Sequence, residues 1–178
     1  MMKVTLIGAG NVATQLGKAL KKAGIIINQV YSRTEISAKM LGELLETEWL
    51  TDITKLRDDA EIYILSVKDS VLCDLISEVC KGREDKLFLH TAGSMPMSCF
   101  EGKAQHYGVF YPMQTFSKAK DVNFKTIPVF IEGNSALFLP IGLGLYWWIG
   151  LLFMIVQQIF VNVQAEKQKQ KGEIVTRK

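Results

Sequence analysis

The segment Gly8-Ala9-Gly10-Asn11-Val12-Ala13 constrains what this chain can fold into more than any other. It lies between a short β-branched run over 3–8 and a stretch over 11–23 with apolar residues at Val12, Leu16, Ala19, Leu20 and Ala23, a helical period. A G-x-G-x-x-G/A pattern in a strand-to-helix context has the form of a phosphate cradle. Gly8 permits the tight turn, Gly10 offers bare main chain to a diphosphate, and the small Ala13 lets helix and strand pack closely. The first amides of the helix, at Asn11, Val12 and Ala13, then point unpaired at an anion, with the helix dipole adding favourable potential. The plainer alternative is a glycine turn that merely joins strand to helix.

The same alternation continues downstream. Strands are predicted over 25–31, 61–67, 86–89, 107–110 and 127–131. A helix is predicted over 34–45, capped by Thr34, with Ile36, Met40, Leu41, Leu44 and Leu45 on its buried face. Another follows Asp69, read as its cap, with Val71, Leu72, Leu75, Ile76 and Val79 as its apolar stripe. Strands alternating with helices imply an α/β fold, a doubly wound and mostly parallel sheet covered on both faces.

The residue types at the end of the second strand bear on the choice of dinucleotide. NAD-preferring sites usually place Asp or Glu there for the ribose hydroxyls. This chain has Tyr31-Ser32-Arg33-Thr34. A guanidinium can pair with a 2′-phosphate and hydroxyls can donate to it, so NADP is expected as cofactor, with a solvated surface arginine as the alternative for Arg33.

Ligands of open α/β sheets sit beyond the carboxyl ends of the strands, where three stretches fall. Ser66-Val67-Lys68-Asp69 should flank the nicotinamide half, with Lys68 free to meet a substrate carboxylate or simply to face solvent. His90 opens the stretch His90-Thr91-Ala92-Gly93-Ser94 and could protonate a substrate, although a structural histidine bonded to backbone is the plainer reading, since no partner carboxylate is identifiable. Tyr111-Pro112-Met113-Gln114-Thr115-Phe116 is the third.

Charge and cysteine usage narrow the class. Of 21 basic and 18 acidic residues in 178, five basic and two acidic lie in 164–178, which leaves the body with 16 of each sign. A neutral body argues against a nucleic-acid footprint. Cys73, Cys80 and Cys99 are too few and too scattered for a disulfide framework or a zinc site, no metal-ligand spacing occurs, and Cys73 and Cys80 read as small core hydrophobes. The start is too brief and wrongly built for a signal peptide, so a cytoplasmic body is expected.

IGAGNVATQLGKAL, LSVKDS, HTAGS and GVFYPMQTFSK, in this order, resemble the amino-terminal domain of a bacterial group of Rossmann-like oxidoreductases. That group is distantly similar to pyrroline-5-carboxylate reductase and to β-hydroxyacid-dehydrogenase-like enzymes. The resemblance covers residues 2 to about 135 and implies NADP binding by Gly8, Gly10, Asn11, Val12 and Ala13, with Ser32, Arg33 and Thr34 at the 2′-phosphate. It places His90, Ser94, Tyr111 and Gln114 on the substrate side. It also implies a helical carboxy-terminal domain that completes the site and often makes a dimer, which residues 136–178 do not resemble. Hydride transfer between nicotinamide and a small carbonyl or imine substrate is the implied activity. A non-catalytic NADP(H)-binding module, membrane-tethered or truncated, is the alternative.

The composition breaks near Ser135, dividing the chain into a dinucleotide-binding body over 1–135, an apolar segment over 136–163 and a basic tail over 164–178. Residues 136–156 are 21 in a row without charge or amide side chain, and at a helical rise would span roughly 31 Å, enough for a bilayer core. Three readings stand open for them: a membrane span, an element buried in the sheet or an oligomer, and the translation of a shifted frame.

Overall fold

The computed structural model describes residues 2–134. Residues 136–156, the candidate membrane span, and the basic tail lie outside that range; within it, no helix is long and apolar enough to cross a membrane.

Lys3–Ile7 (β1) leads into Asn11–Lys22 (α1), Ile26–Tyr31 (β2) and Glu35–Leu45 (α2). Glu48–Leu50 (β3), Ile62–Leu65 (β4), Asp69–Cys80 (α3), Leu87–His90 (β5), His106–Pro112 (β6) and Val129–Gly133 (β7) follow. The strands form one seven-stranded sheet in the order β3-β2-β1-β4-β5-β6-β7. All pairings are parallel except β6 with β7, which run antiparallel from Gly108 opposite Gly133 to Pro112 opposite Val129. This is the doubly wound, mostly parallel sheet anticipated from the alternation.

Burial explains the central strands. All four residues of β4 and all four of β5 are buried, as a parallel strand covered on both faces requires. On one face Leu16 and Leu20 of α1 and Leu41 and Leu45 of α2 pack with Val4, Leu6, Ile62, Leu89 and Phe110. On the other, Leu72, Ile76 and Val79 of α3 meet Ile7, Tyr63, Phe88 and Phe100. The 3₁₀ turn Met97–Phe100 occupies the place of a helix between β5 and β6. At the foot of α3, buried Arg83 donates to the carbonyls of Leu56, Val79, Lys81 and Arg57, joining the helix end to the loop before β4.

Three sequence expectations change. β3 has no sequence signature, because three residues are too few to display a period; it exists through pairing of Gln29, Val30 and Tyr31 with Glu48, Trp49 and Leu50. On α2 the apolar residues divide: Leu41 and Leu45 are buried with Ala38, whereas Ile36, Met40 and Leu44 are exposed, Ile36 at 75%. The side facing the sheet combines Ala38 and Gly42 with Leu41 and Leu45, and Gly42 lies against the Trp49 ring, so the helix approaches closely and Ile36, Met40 and Leu44 are left outward. The caps differ too. Thr34 holds the N-cap position of α2 without a side-chain cap bond, and Lys68, not Asp69, is the N-cap of α3.

Met40→Gln should therefore leave stability within about 0.5 kcal/mol of the parent, while Leu41→Ala should cost about 3 kcal/mol. Urea denaturation of both variants checks the orientation of α2; equal losses would mean that Met40 is covered.

Candidate functional site

The strand order reverses between β1 and β4, and a cleft of about 820 Å³ opens beyond their carboxyl ends. Its floor is the turn between β1 and α1. The Gly8 amide donates to the Tyr31 carbonyl at 2.7 Å, and the Ser66 amide donates to the Ile7 carbonyl at 2.8 Å, so the end of β1 is tied to both neighbours. Gly8 has φ +113°, and a Cβ there would lie 2.3 Å from the Ser66 carbonyl oxygen. Only glycine fits that turn, for conformation and for space.

Gly10 is a glycine for another reason. Its φ of −82° suits any residue, and a Cβ would meet nothing within 4 Å. No protein atom requires it to be bare; the space above it belongs to the cleft. Gly10 is the N-cap of α1 and supplies no side-chain cap, which leaves the amides of Asn11, Val12 and Ala13 without intrahelical partners. The Ala13 side chain is fully buried under the helix. An anion at this point meets unpaired N–H groups and the positive end of the helix dipole.

Asn11 and Gln15 act on a distant segment. Asn11 Nδ2 donates to the Phe116 carbonyl at 2.9 Å, and Gln15 Nε2 to the carbonyls of Ser117 and Lys120 at 2.7 and 3.1 Å. The loop after β6 is thereby pinned on α1, and Lys118 joins the cleft wall.

At the β2 end, Ser32, Arg33, Thr34 and Ser37 line the cleft beside Tyr31. Burial, with the nearby Glu78 carboxylate, raises the Tyr31 phenol above its ordinary pKa, so it remains a neutral hydroxyl. Among the described residues Arg33 makes no ion pair, and the uncapping Thr34 hydroxyl makes no hydrogen bond to its own helix.

At the opposite end stand Ser66, Val67, Lys68, Thr91, Ala92, Gly93 and Tyr111. The Thr91 hydroxyl donates to Ser66 Oγ at 3.2 Å, joining the ends of β4 and β5. Gly93 lies flat against the Tyr111 ring, where a Cβ would come within 2.6 Å of it. A glycine here sets how far the phenol reaches over the cleft.

Gly8, Gly10, Asn11, Val12, Ser32, Arg33, Thr34, Val67, Lys68 and Tyr111 thus meet around one cleft. Four other expected residues do not. Ala13 is buried in the core and lies outside the lining. His90 is fully buried: its ring stacks on Phe100 at 5.8 Å, and Nδ1 accepts from the Ala92 amide at 3.3 Å, the geometry of the backbone-bonded alternative. Its Nε2 completes no hydrogen bond, although the Pro96 carbonyl faces the ring. Ser94 donates to the Asp69 carboxylate, linking the loop after β5 to α3. Gln114 is exposed and outside the lining. Ser37, Ser66, Thr91 and Lys118 escaped residue-by-residue reading. Ser66 and Thr91 stood in stretches placed at the strand ends, but a hydroxyl carries no signal of its own.

Residues 1–107 match the Rossmann-like domain family. The chain belongs to that family. Among solved structures, this Rossmann-like chain is similar to a Bacteroides fragilis protein assigned provisionally as an NADP oxidoreductase, with 41% identity over 98% of this chain and 69% of that one, at a TM-score of 0.82. It also shares its fold with prephenate dehydrogenase from A. aeolicus, at 15% identity and TM-score 0.69 over 88% of this chain and 60% of that one. A pyrroline-5-carboxylate reductase from Coxiella burnetii matches at 18% identity and TM-score 0.69, over 87% of this chain and 59% of that one. The Rossmann-like chain thus spans about three fifths of the length of the last two. No curated protein sequence matches it significantly.

Burial, opposed by the Pro96 carbonyl and the Asp69 charge, holds His90 below its usual 6.5. The native ring is then neutral while the unfolded chain protonates near 6.5, so stability is complete above that pH and falls as the pH drops below it toward the folded value. His90→Asn, which keeps an acceptor for the Ala92 amide, should flatten the dependence of Tm on pH just below 6.5; an unchanged slope would show that His90 is not sealed.

Proposed function

We propose that this chain binds NADP(H) as the nucleotide-binding part of an oxidoreductase acting on a small carbonyl or imine substrate. One observation carries the reading: the missing Cβ of Gly10 opens onto the cleft at an uncapped helix start, where no protein atom needs the room. A diphosphate does need it, because its oxygens must reach the amides of Asn11, Val12 and Ala13.

The preference for NADP rests on the β2 end. Tyr31-Ser32-Arg33-Thr34 carry no carboxylate to hold ribose hydroxyls or repel a phosphate, and Glu78 reaches this end of the cleft only from α3. Arg33 would pair with the 2′-phosphate, with Ser32, Thr34 and Ser37 donating around it. The Bacteroides fragilis relative, provisionally assigned as an NADP oxidoreductase, points the same way.

When bound, the dinucleotide supplies or accepts the hydride. The chain's own groups position and polarise. Lys68 would meet a substrate carboxylate, Tyr111 would hold a polar substrate atom, and the joined hydroxyls of Ser66 and Thr91 would support the nicotinamide end. His90 would act as a positioning residue, setting the Thr91–Gly93 backbone through Ala92. Ser94 would do likewise through Asp69. A homo-oligomer is compatible with this reading.

The burial of His90 favours a second reading, an NADP(H)-binding module without turnover, since no histidine then lies at the cleft as a proton donor. Mixing the full chain and NADPH with a panel of small carbonyls and imines separates the two: oxidation of NADPH supports the enzyme, and tight binding without oxidation supports the module.

Arg33→Ala should weaken NADPH binding by about 10- to 100-fold while changing NADH binding by less than about twofold. Equal losses in a calorimetric titration would remove the 2′-phosphate assignment. Gly10→Ala should leave Tm nearly unchanged yet weaken both coenzymes by about tenfold or more, because its methyl enters only the diphosphate space. Undiminished binding in that variant would sink the cradle.

A further inference from the structure

We propose that Cys73 and Cys99 form a thiol pair that closes reversibly to a disulfide when the protein meets a small-molecule disulfide, a site separate from nucleotide binding. Cys73 lies on α3 and Cys99 in the 3₁₀ turn Met97–Phe100, 26 positions apart, yet their sulfurs stand 3.0 Å from each other. Both are free and half-buried. Sulfurs this near need to move only about 1 Å toward each other to bond. Lys103 Nζ reaches the Cys73 carbonyl at 3.4 Å, which holds an ammonium beside the pair.

Cys80 provides the contrast within the same helix. It is buried, its thiol is pushed up to about 12 by that burial, and among the described residues it hydrogen-bonds to no other thiol. Exposure and proximity thus select one pair among three cysteines. In the sequence Cys73 has the character of a core filler, because 26 positions separate it from Cys99; their encounter depends on β5 carrying the chain back across α3.

The chemistry balances by exchange. A thiolate of the pair attacks the small disulfide, forming a mixed disulfide and releasing one thiol. The second cysteine then attacks the protein sulfur, forms the Cys73–Cys99 bond and expels the other small thiol. The protein loses two electrons and two protons, and the small disulfide takes up both. The new bond would tie α3 to the segment after β5, two parts already joined at the cleft by Ser94 and Asp69. Oxidation would therefore stiffen one wall of the cleft from behind.

The test exposes the full chain to oxidised glutathione, blocks remaining thiols with iodoacetamide and maps the peptides by mass spectrometry. The expected product is an intramolecular Cys73–Cys99 link with Cys80 still a thiol, reversed by dithiothreitol. Closing a loop of this length should raise Tm by on the order of 10 °C over the reduced protein. Cys73→Ser and Cys99→Ser should each abolish the link. Recovery of Cys73 and Cys99 as separate alkylated or glutathionylated residues would overturn the proposal. So would a link to Cys80, a link between chains, or a linked protein no more stable than the reduced one.

Discussion

The last peptide of β1 hydrogen-bonds to strands on both sides, and the chain must leave it through a residue with φ +113° pressed beneath the Ser66 carbonyl. That crowding exists because β1 and β4 are adjacent parallel strands ending at the same level, Ile7 opposite Leu65. Glycine alone can pass there. The direction in which the chain emerges sets the start of α1, and so the place where its unpaired amides face the cleft. Gly17, whose Cβ would come within 2.7 Å of Leu45, then allows α1 to lie close to α2. Binding geometry and core packing follow from the same turn.

The walls of the cleft come from segments far apart in the chain. Asn11 and Gln15 reach across more than a hundred positions to hold the loop after β6. Gly93 receives the Tyr111 ring, which brings the loop after β5 against the end of β6. These contacts are polar or close-packed and few in number, so the rim of the site depends on single residues where the floor depends on a sheet. Asn11 illustrates this division: its backbone belongs to the anion site, while its side chain is a structural tether.

The burial of His90 separates chemical type from access. A histidine at the end of a parallel strand is a natural candidate for proton transfer. The last side chain of such a strand, however, points to one face or the other, and here it points into the α3 side, where Phe100 stacks on it. Its hydrogen bond to Ala92 makes the ring part of the scaffold for the loop. Tyr111, on the neighbouring strand, remains at the opening. The same distinction governs α2, whose five apolar residues have the spacing of a buried stripe although three of them face outward.

The alternation of apolar strands with amphipathic helices, the glycines at 8 and 10 and the Ser32-Arg33-Thr34 run after Tyr31 are local properties. They determined the parallel sheet, the position of the cleft and the residues at its floor, because period and backbone freedom act over a few neighbouring residues. Whether a side chain at the cleft's edge is open or sealed depended on which remote segment packs over it. β3, the tether from α1 to the loop after β6, the enclosure of His90 and the meeting of Cys73 with Cys99 all arise from contacts between residues widely separated in the chain. No local pattern encodes such contacts, so only the tertiary structure decided them.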